Sequence, residues 1–448
     1  MKAFRIGSGA GYSGDRIDPA QDLAQRGELN ALVFECLAER TIALAQLRRS
    51  QDPKQGYDPL LKARMRAVLP ACVRQGTRII SNMGAANPMA AGQAVLEVAR
   101  ELGLSRLRVA VVLGDDVLPW LRSHDVTLLD TGLVAKTAHQ LGPSLISANA
   151  YLGADALLPA LRMGADVIIC GRVADPALFL APLMHHFNWA NDDWGQLGQG
   201  VAVGHLLECA AQVSGGYLAD PPFVQVPNLA MVGFPLAEVQ EDGQAVITKL
   251  PGTGGRVDRL SCTAQLLYEI EDPTAYLQPD VVADFSAVQL QELGADRVGV
   301  TGASGRERPN WLKATLGYRE GFIGEGQISY AGPGARTRGE LALQVLRERL
   351  SLLGLDRLEH RAELIGVNAM HGPALGAEHE PYEVRLRLAL RAPKREQAEL
   401  AGLEVEALYL NGPAAGGGVT QSVREVVAAA SALVPREAAS PECRMLEL

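Results

Sequence analysis

Short apolar runs alternate with stretches of helical period through the first half of the chain. Ala3 to Gly7, Ala31 to Cys36, Thr77 to Asn82, Leu107 to Leu113, Ser144 to Ala148 and Asp166 to Cys170 have the length and composition of buried strands. Between them, Asp58 to Gln75, Ala90 to Leu102 and Ala154 to Met163 place apolar residues at helical spacing. Such alternation predicts parallel strands joined by helical crossovers. The expected fold is α/β: a mostly parallel, Rossmann-like sheet over residues 1–279, followed by a smaller α+β domain over residues 280–448.

Further on, Asp175 to Met184 and Leu197 to Val213 read as helices, the second stopped by Gly215-Gly216. Beyond Asp280 the pattern predicts strands at Arg297 to Thr301, Trp311 to Tyr318, Ala362 to Asn368 and Tyr382 to Arg391, with an amphipathic helix over Arg338 to Leu353. Charged and apolar residues alternate through Tyr382 to Leu388, as in a strand with one wet face. A last helix is expected from Gln421 to Val434, between a Thr420 cap and the stop Pro435, with a loosely held tail after it.

Polar residues stand directly after the apolar runs: Glu35, Asn82, Asp115 with Asp116, Asn149, and Arg172 with Asp175. In a parallel sheet the carboxyl ends of the strands share one edge, so these side chains are expected to converge on one crevice. Helix capping and turn formation account for Asp and Asn at such places equally well. The opening glycines Gly7, Gly9, Gly11 and Gly14, around Tyr12, would present bare amides to a phosphate or carboxylate. Gly9-x-Gly11-x-x-Gly14 with Glu35 also reads as a dinucleotide fingerprint, which leaves a nucleotide-dependent oxidoreductase open. That fingerprint needs a helix starting at the glycines, whereas Asp18 as cap, Pro19 as first helical residue and Gly27 as stop define a short helix set further on. A third reading makes the loop a tight turn only.

His205 and Glu208, three apart on one expected helix, form a possible acid and base, or a surface pair of small energetic value. Arg172, Arg256, Arg336 and Arg338 stand beside glycine or turns, where a guanidinium can clamp an anion. Asn411 to Gly418 is expected to lead into the N-terminus of the last helix, a geometry suited to an anion. There is no Gly-x-Ser-x-Gly elbow and no Gly-x-x-x-x-Gly-Lys-Ser/Thr loop, which disfavours a serine hydrolase and kinase or ATPase chemistry.

The chain has 448 residues, 48% of them hydrophobic, so it can bury a large core. Its net charge of −9 argues against nucleic-acid binding, and any anionic ligand must be met by local arginines or helix ends. Cys36, Cys72, Cys170, Cys209, Cys262 and Cys443 show no metal spacing and read as small hydrophobes, so no metal is expected. No apolar run is long enough to span a membrane, and a cytoplasmic location is expected.

Several separated segments together resemble the acyclic terpene utilisation family, AtuA. They are Ile6 to Arg16, Leu32-Val33-Phe34-Glu35-Cys36-Leu37-Ala38-Glu39-Arg40-Thr41, Gly171-Arg172-Val173-Ala174-Asp175, Gly204 to Cys209, Thr253-Gly254-Gly255, Gln265 to Glu269, and Pro279-Asp280-Val281. The resemblance implies catabolism of branched acyl chains through acyl-CoA intermediates, by a lyase or hydratase needing no redox cofactor. On that basis Glu35, His205 and Glu208 are expected to supply acid and base. Gly9, Gly11, Tyr12, Gly14, Asn82, Asn149, Arg172, Asp175, Gly254 and Gly255 are expected to hold the substrate. The resemblance also implies a ferredoxin-like domain of about a hundred residues, either dispensable here or supplied by a separate small protein, and so leaves open a noncatalytic large subunit. A homo-oligomer is expected.

Overall fold

A computed structural model describes residues 3–372 and 380–448. Strands β1 (Phe4–Ala10), β2 (Ala31–Phe34), β3 (Arg78–Ser81), β4 (Arg108–Leu113) and β6 (Val167–Cys170) pair in parallel in the order β1-β2-β3-β6-β4. Ala-Leu-Val-Phe in β2 and Val-Ile-Ile-Cys in β6 are buried at every position, as strands covered on both faces must be. Helices α1 (Asp18–Arg26), α2 (Glu39–Gln51), α3 (Leu61–Gln75) and α4 (Pro88–Glu101) form the crossovers between β1 and β4, and Leu23, Leu69 and Val95 share one core with Leu32 and Ile79.

The expectation of a mostly parallel sheet is corrected. Its flanks are antiparallel: β7 (Pro235–Val239), β8 (Ala245–Lys249), β11 (Gln289–Gly294) and β12 (Arg297–Thr301) extend it beyond β1 in the order β11-β12-β8-β7, giving a mixed ten-stranded sheet. The other edge is closed by β18 (Glu442–Glu447), antiparallel to β4, where a loose tail was expected. Cys443, Met445 and Leu446 are half-buried among exposed residues, a pattern too short and irregular to stand out in sequence, and the pairing covers an otherwise open edge. Strand β5 (Leu145–Ala150), expected in the parallel sheet, pairs instead with β14 (Trp311–Ala331). Single bridges from Asn149 to Asp116 and from Leu152 to Val173 lay β5 across the carboxyl edge of that sheet.

Contacts divide the chain into a larger unit, residues 1–317 with 429–448, and a smaller one, residues 318–428. The boundary expected at 279/280 does not coincide with this division. In the larger unit, where α5 (Leu118–Leu121) and α6 (Leu158–Arg162) follow β4 and α9 (Arg259–Leu266) follows β8, the strands β9 (Tyr276–Leu277), β10 (Val282–Asp284) and β13 (Ser304–Arg306) form a small antiparallel sheet beside helices α7 (Asp175–Phe187) and α8 (Trp194–Glu208). Among the described residues no helix is long and apolar enough to cross a membrane.

The smaller unit runs β14, α10 (Ala335–Leu352), β15 (His360–Ile365), β16 (Glu383–Ala392), α11 (Arg395–Asn411) and β17 (Gly417–Pro435), with sheet order β15-β16-β14-β17. That β-α-β-β-α-β sequence is the ferredoxin-like arrangement, carried within the chain itself. The expected last helix is therefore the strand β17. Thr420 and Pro435 mimic caps, and the Val/Ala-rich run between them has no decisive period, so strand pairing decides its conformation. Residues 411–418 consequently follow a helix and enter a strand, and no helix N-terminus stands there to hold an anion.

Helix α11 lies directly on β14 because that strand offers glycines. A Cβ on Gly324 would fall 1.7 Å from the Ala398 carbonyl oxygen, and one on Gly326 would fall 2.7 Å from the Val405 Cβ. Gly324→Ala should therefore force α11 off the sheet and destabilise the smaller unit by about 1–3 kcal/mol. Hydrogen exchange across residues 395–411 reads this out: faster exchange there is expected, and unchanged protection would show that the contact tolerates a methyl group.

Candidate active site

The turns after the parallel strands bring most of the expected polar residues together. Glu35, after β2, accepts hydrogen bonds at Oε1 from the Leu37 N–H and from Asn82 Nδ2, both at 2.8 Å. Asn82, after β3, is held in turn by the Cys36 N–H at 2.7 Å, so it orients Glu35. Asp115, after β4, accepts from the Arg172 N–H at 2.9 Å and from Asn149 Nδ2 at 2.8 Å. Burial drives the Asp115 carboxyl up to about 6 against those hydrogen bonds.

Arg172 is 1% exposed, and its guanidinium is committed to the protein. It donates to the carbonyls of Val173 and Leu37 and pairs with Asp175, while its plane lies 4.4 Å from the centre of the Tyr151 ring. Tyr151, delivered by the end of β5, donates its hydroxyl to Glu39 at 2.6 Å, and Lys313 of β14 reaches the same carboxylate at 3.0 Å. Burial opposes the Glu39 charge, yet the Tyr151 hydrogen bond and the Lys313 ammonium bring its carboxyl down to about 2.

On α8, His205 Nδ1 meets Glu208 Oε1 at 2.9 Å, and both side chains are buried. The Tyr276 and Phe285 rings stand 5.3 and 5.8 Å from the imidazole. Among the described residues, His205 Nε2 and Glu208 Oε2 have no partner of hydrogen-bonding geometry. Burial pushes Glu208 up to about 7 against the His205 charge, with Asp175 and Glu269 adding to the rise. His205 loses by burial but gains more from Glu208, and holds its proton above the ordinary imidazole value. Burial, then the Asp175 charge, raises Glu35 well above the usual carboxylate range, while Asp175 is raised by burial against the pull of Arg172.

These elements enclose a cavity of about 450 Å³ lined by Glu35, Glu39, Asp175, Glu208, Glu269 and Lys313, with Tyr151, Tyr268, Tyr276 and Trp311 as its larger walls. Asn82, Arg172 and His205 lie outside that lining and hold Glu35, Asp175 and Glu208 in it, whereas Asn149 bonds Asp115, which does not line the cavity. Among the described residues, no group of three or more His, Cys, Asp and Glu side chains is arranged to hold a metal ion.

The glycine loop differs from its expected role as an anion-holding wall. Gly9 lies inside β1, where a Cβ would strike the Phe34 ring at 2.6 Å, and a Cβ on Gly11 would meet the Cys209 backbone at 2.5 Å. The Gly11 N–H is taken by Asp15 Oδ2 at 2.9 Å, and buried Arg64 collects the carbonyls of Tyr12, Ser13 and Asp15. The glycines thus allow close packing, and only Gly11 lines the cavity. Tyr12 is 61% exposed and Gly14 packs on its ring. No helix starts at these glycines; α1 begins at Asp18, with Ile17 rather than Asp18 as its cap, so the dinucleotide geometry is not formed. Gly254 and Gly255 pack against Asn228 and Ser214 and are not part of the cavity. Arg256 pairs with Asp258, Arg336 with Glu340, and Arg338 with the Ala331 and Pro333 carbonyls.

The family model described as acyclic terpene utilisation family protein AtuA matches residues 4–445. The chain belongs to the AtuA family. No curated protein and no solved structure matches it. In this AtuA-family chain the segments quoted for the resemblance converge on one place: Glu35 and Glu39 come from Leu32 to Thr41, Asp175 from Gly171 to Asp175, Glu208 from Gly204 to Cys209, and Glu269 from Gln265 to Glu269. Glu39 and Glu269 were thus within reach of sequence reasoning although not singled out. Tyr151 and Lys313 carry no sequence signal, because β5–β14 pairing alone brings them in. Asp280 plays another part, its carboxylate accepting the Ala154 N–H at 2.8 Å.

The buried pair makes stability depend on pH. Glu208 rises from its ordinary 4.5 to about 7 and His205 rises above 6.5, so both bind protons more tightly folded than unfolded. The stability they contribute therefore falls as pH rises from about 4.5 through 7. Relative to the native chain, the double variant His205→Gln/Glu208→Gln should gain stability between pH 5 and pH 8 by more than about 1 kcal/mol. Urea unfolding at several pH values measures this, and a pH-independent difference would overturn the coupling.

Proposed function

We propose that this chain is an acid–base lyase or hydratase acting on a branched hydroxyacyl thioester, such as an acyl-CoA, or a related carboxylate. The observation that carries this reading is that Glu35 and Glu208 line one cavity, each with its proton affinity raised first by burial and then by the Asp175 charge. Two carboxyls so displaced divide the roles of acid and base near neutral pH. Glu208, titrating at about 7, is the base, and Glu35, held well above that of an ordinary carboxylate, is the acid.

In the lyase reaction, Glu208 takes the proton of the substrate hydroxyl as the neighbouring C–C bond breaks, and the bonding electrons pass to the thioester as an enolate. Glu35 then protonates the enolate carbon, and no net oxidation or reduction occurs. In a dehydration the same pair removes the proton beside the thioester and protonates the departing hydroxyl. Lys313, the cation that lines the cavity among the described residues, stabilises the developing oxyanion in this reading. His205 acts through Glu208, fixing its orientation from behind. The AtuA family description, which concerns acyclic terpene utilisation, supports a branched acyl chain.

Glu208→Gln and Glu35→Gln should each lower kcat on a branched 3-hydroxyacyl-CoA by about 10²–10⁴-fold while leaving thioester binding in place. The native kcat/KM should rise with pH through about 7 as Glu208 ionises. Full turnover in either variant, with the fold intact, would sink the assignment.

A further inference from the structure

Tyr151, Tyr268 and Tyr276 line the carboxylate cavity, and two of these phenols already face a carboxylate partner. Tyr151 donates to Glu39, and the Tyr268 hydroxyl stands against Glu269. The Tyr276 hydroxyl has no hydrogen-bond partner among the described residues, and it is not sealed off from the cavity that its ring lines. The ring itself is fixed. Tyr276 of β9 pairs with Ala283 of β10, and its side chain packs 5.5 Å from the Phe285 ring and 5.3 Å from the His205 imidazole. Burial, then the charges of Glu208, Asp175 and Glu269 in that order, raises the phenol well above its ordinary value, and all three carboxylates line the same cavity. Tyr276 therefore keeps its proton at neutral pH and stands in the lining as a neutral donor. Lys313, by contrast, lies 3.0 Å from Glu39 and 5.1 Å from the centre of the Tyr151 ring. The two donors thus serve different carboxylates, Lys313 the permanently charged Glu39 and Tyr276 the base Glu208.

We propose that Tyr276 is the specificity-determining residue of this cavity, its hydroxyl donating to the hydroxyl oxygen of a 3-hydroxyacyl thioester while that hydroxyl donates to Glu208. This role rests on the lyase form of the reading above, and it makes the cavity select a thioester with a hydroxyl on its third carbon over the same thioester without one. One hydrogen bond received and one given fix the substrate oxygen and aim its proton at the base. As Glu208 takes that proton, the charge growing on the oxygen stays bonded to the phenol, which keeps its own proton throughout. A thioester lacking the hydroxyl leaves the Tyr276 donor in the filled cavity with nothing to bond, and an unpaired polar group so enclosed costs affinity.

Calorimetric titration of the full chain with 3-hydroxy-3-methylbutyryl-CoA and with 3-methylbutyryl-CoA, which differ only in the hydroxyl, tests the proposal. The Glu208→Gln variant is the background, because it slows turnover while its amide oxygen still accepts from the substrate. There the hydroxylated thioester should bind about tenfold more tightly than its partner. Adding Tyr276→Phe should bring the two affinities to within about twofold, mainly by weakening the hydroxylated one. Tyr276→Phe alone should unfold at the native temperature, since the lost hydroxyl bonds nothing in the fold. A preference that survives Tyr276→Phe, an equal weakening of both thioesters, or a lowered unfolding temperature would each overturn the role of Tyr276 and leave the lyase reading standing. No binding by either thioester, or no preference while Tyr276 is in place, would overturn the lyase reading and this role with it.

Discussion

Burying the guanidinium of Arg172 under the carboxyl edge of the large sheet lets Asp175, Glu35 and Glu39 share a small volume with Glu208 and Glu269. Glu35, Asp175 and Glu208 lose hydration and feel neighbouring carboxylates, as their raised proton affinities show. Arg172 supplies the opposing charge from behind the lining, held by two carbonyls and the Tyr151 face so that it cannot swing into the cavity. The Arg172 charge is fully buried, so it depends for compensation on Asp175, whose side chain is 35% exposed. The Arg172 side chain is thus a condition of the site's existence, although it does not line it.

The same logic separates the acids into two groups. Glu39 lies beside Lys313 and the Tyr151 hydroxyl, keeps its charge and titrates at about 2. Glu35 and Glu208 lack so close a cation on the cavity side and retain their protons to higher pH. Proton-holding and permanently charged carboxylates therefore face one space, and the difference arises from hydrogen bonds that cross from β5 and β14.

How much of this was legible in the sequence depends on the range of the interaction. The strand-end residues Glu35, Asn82, Asp115 and Arg172 were readable because parallel topology fixes a shared edge whatever the details of packing. The His205–Glu208 pair was readable because helical spacing fixes it locally. The ferredoxin-like unit was half readable: the alternation of β16 is local, while β17 takes its conformation from strand pairing against propensity that is neutral. The glycine loop was misread for a related reason. Whether its amides are free depends on Asp15 turning back to Gly11 and on Arg64 arriving from α3, and no glycine spacing reports either. Tyr151 and Lys313 lie at the far end of that scale, since they meet Glu39 only through the pairing of β5 with β14.

The charge of the cavity also constrains what it can hold. Five carboxylates and one ammonium line it, so a ligand group bearing a full negative charge would meet the field that already raises Glu35 through Asp175. Such a group must bring a proton with it or lodge against Lys313, whereas a hydroxyl or a thioester carbonyl enters without that cost. By linkage, any anion that does enter tightens the hold of Glu35 and Glu208 on their protons. Negative charge on a ligand and ionisation of Glu208 thus compete for the same space. The reaction proposed for this cavity meets that constraint, because it begins with a neutral reacting group and develops negative charge only as Glu208 takes up the proton, with the His205 imidazole and the Lys313 ammonium beside it.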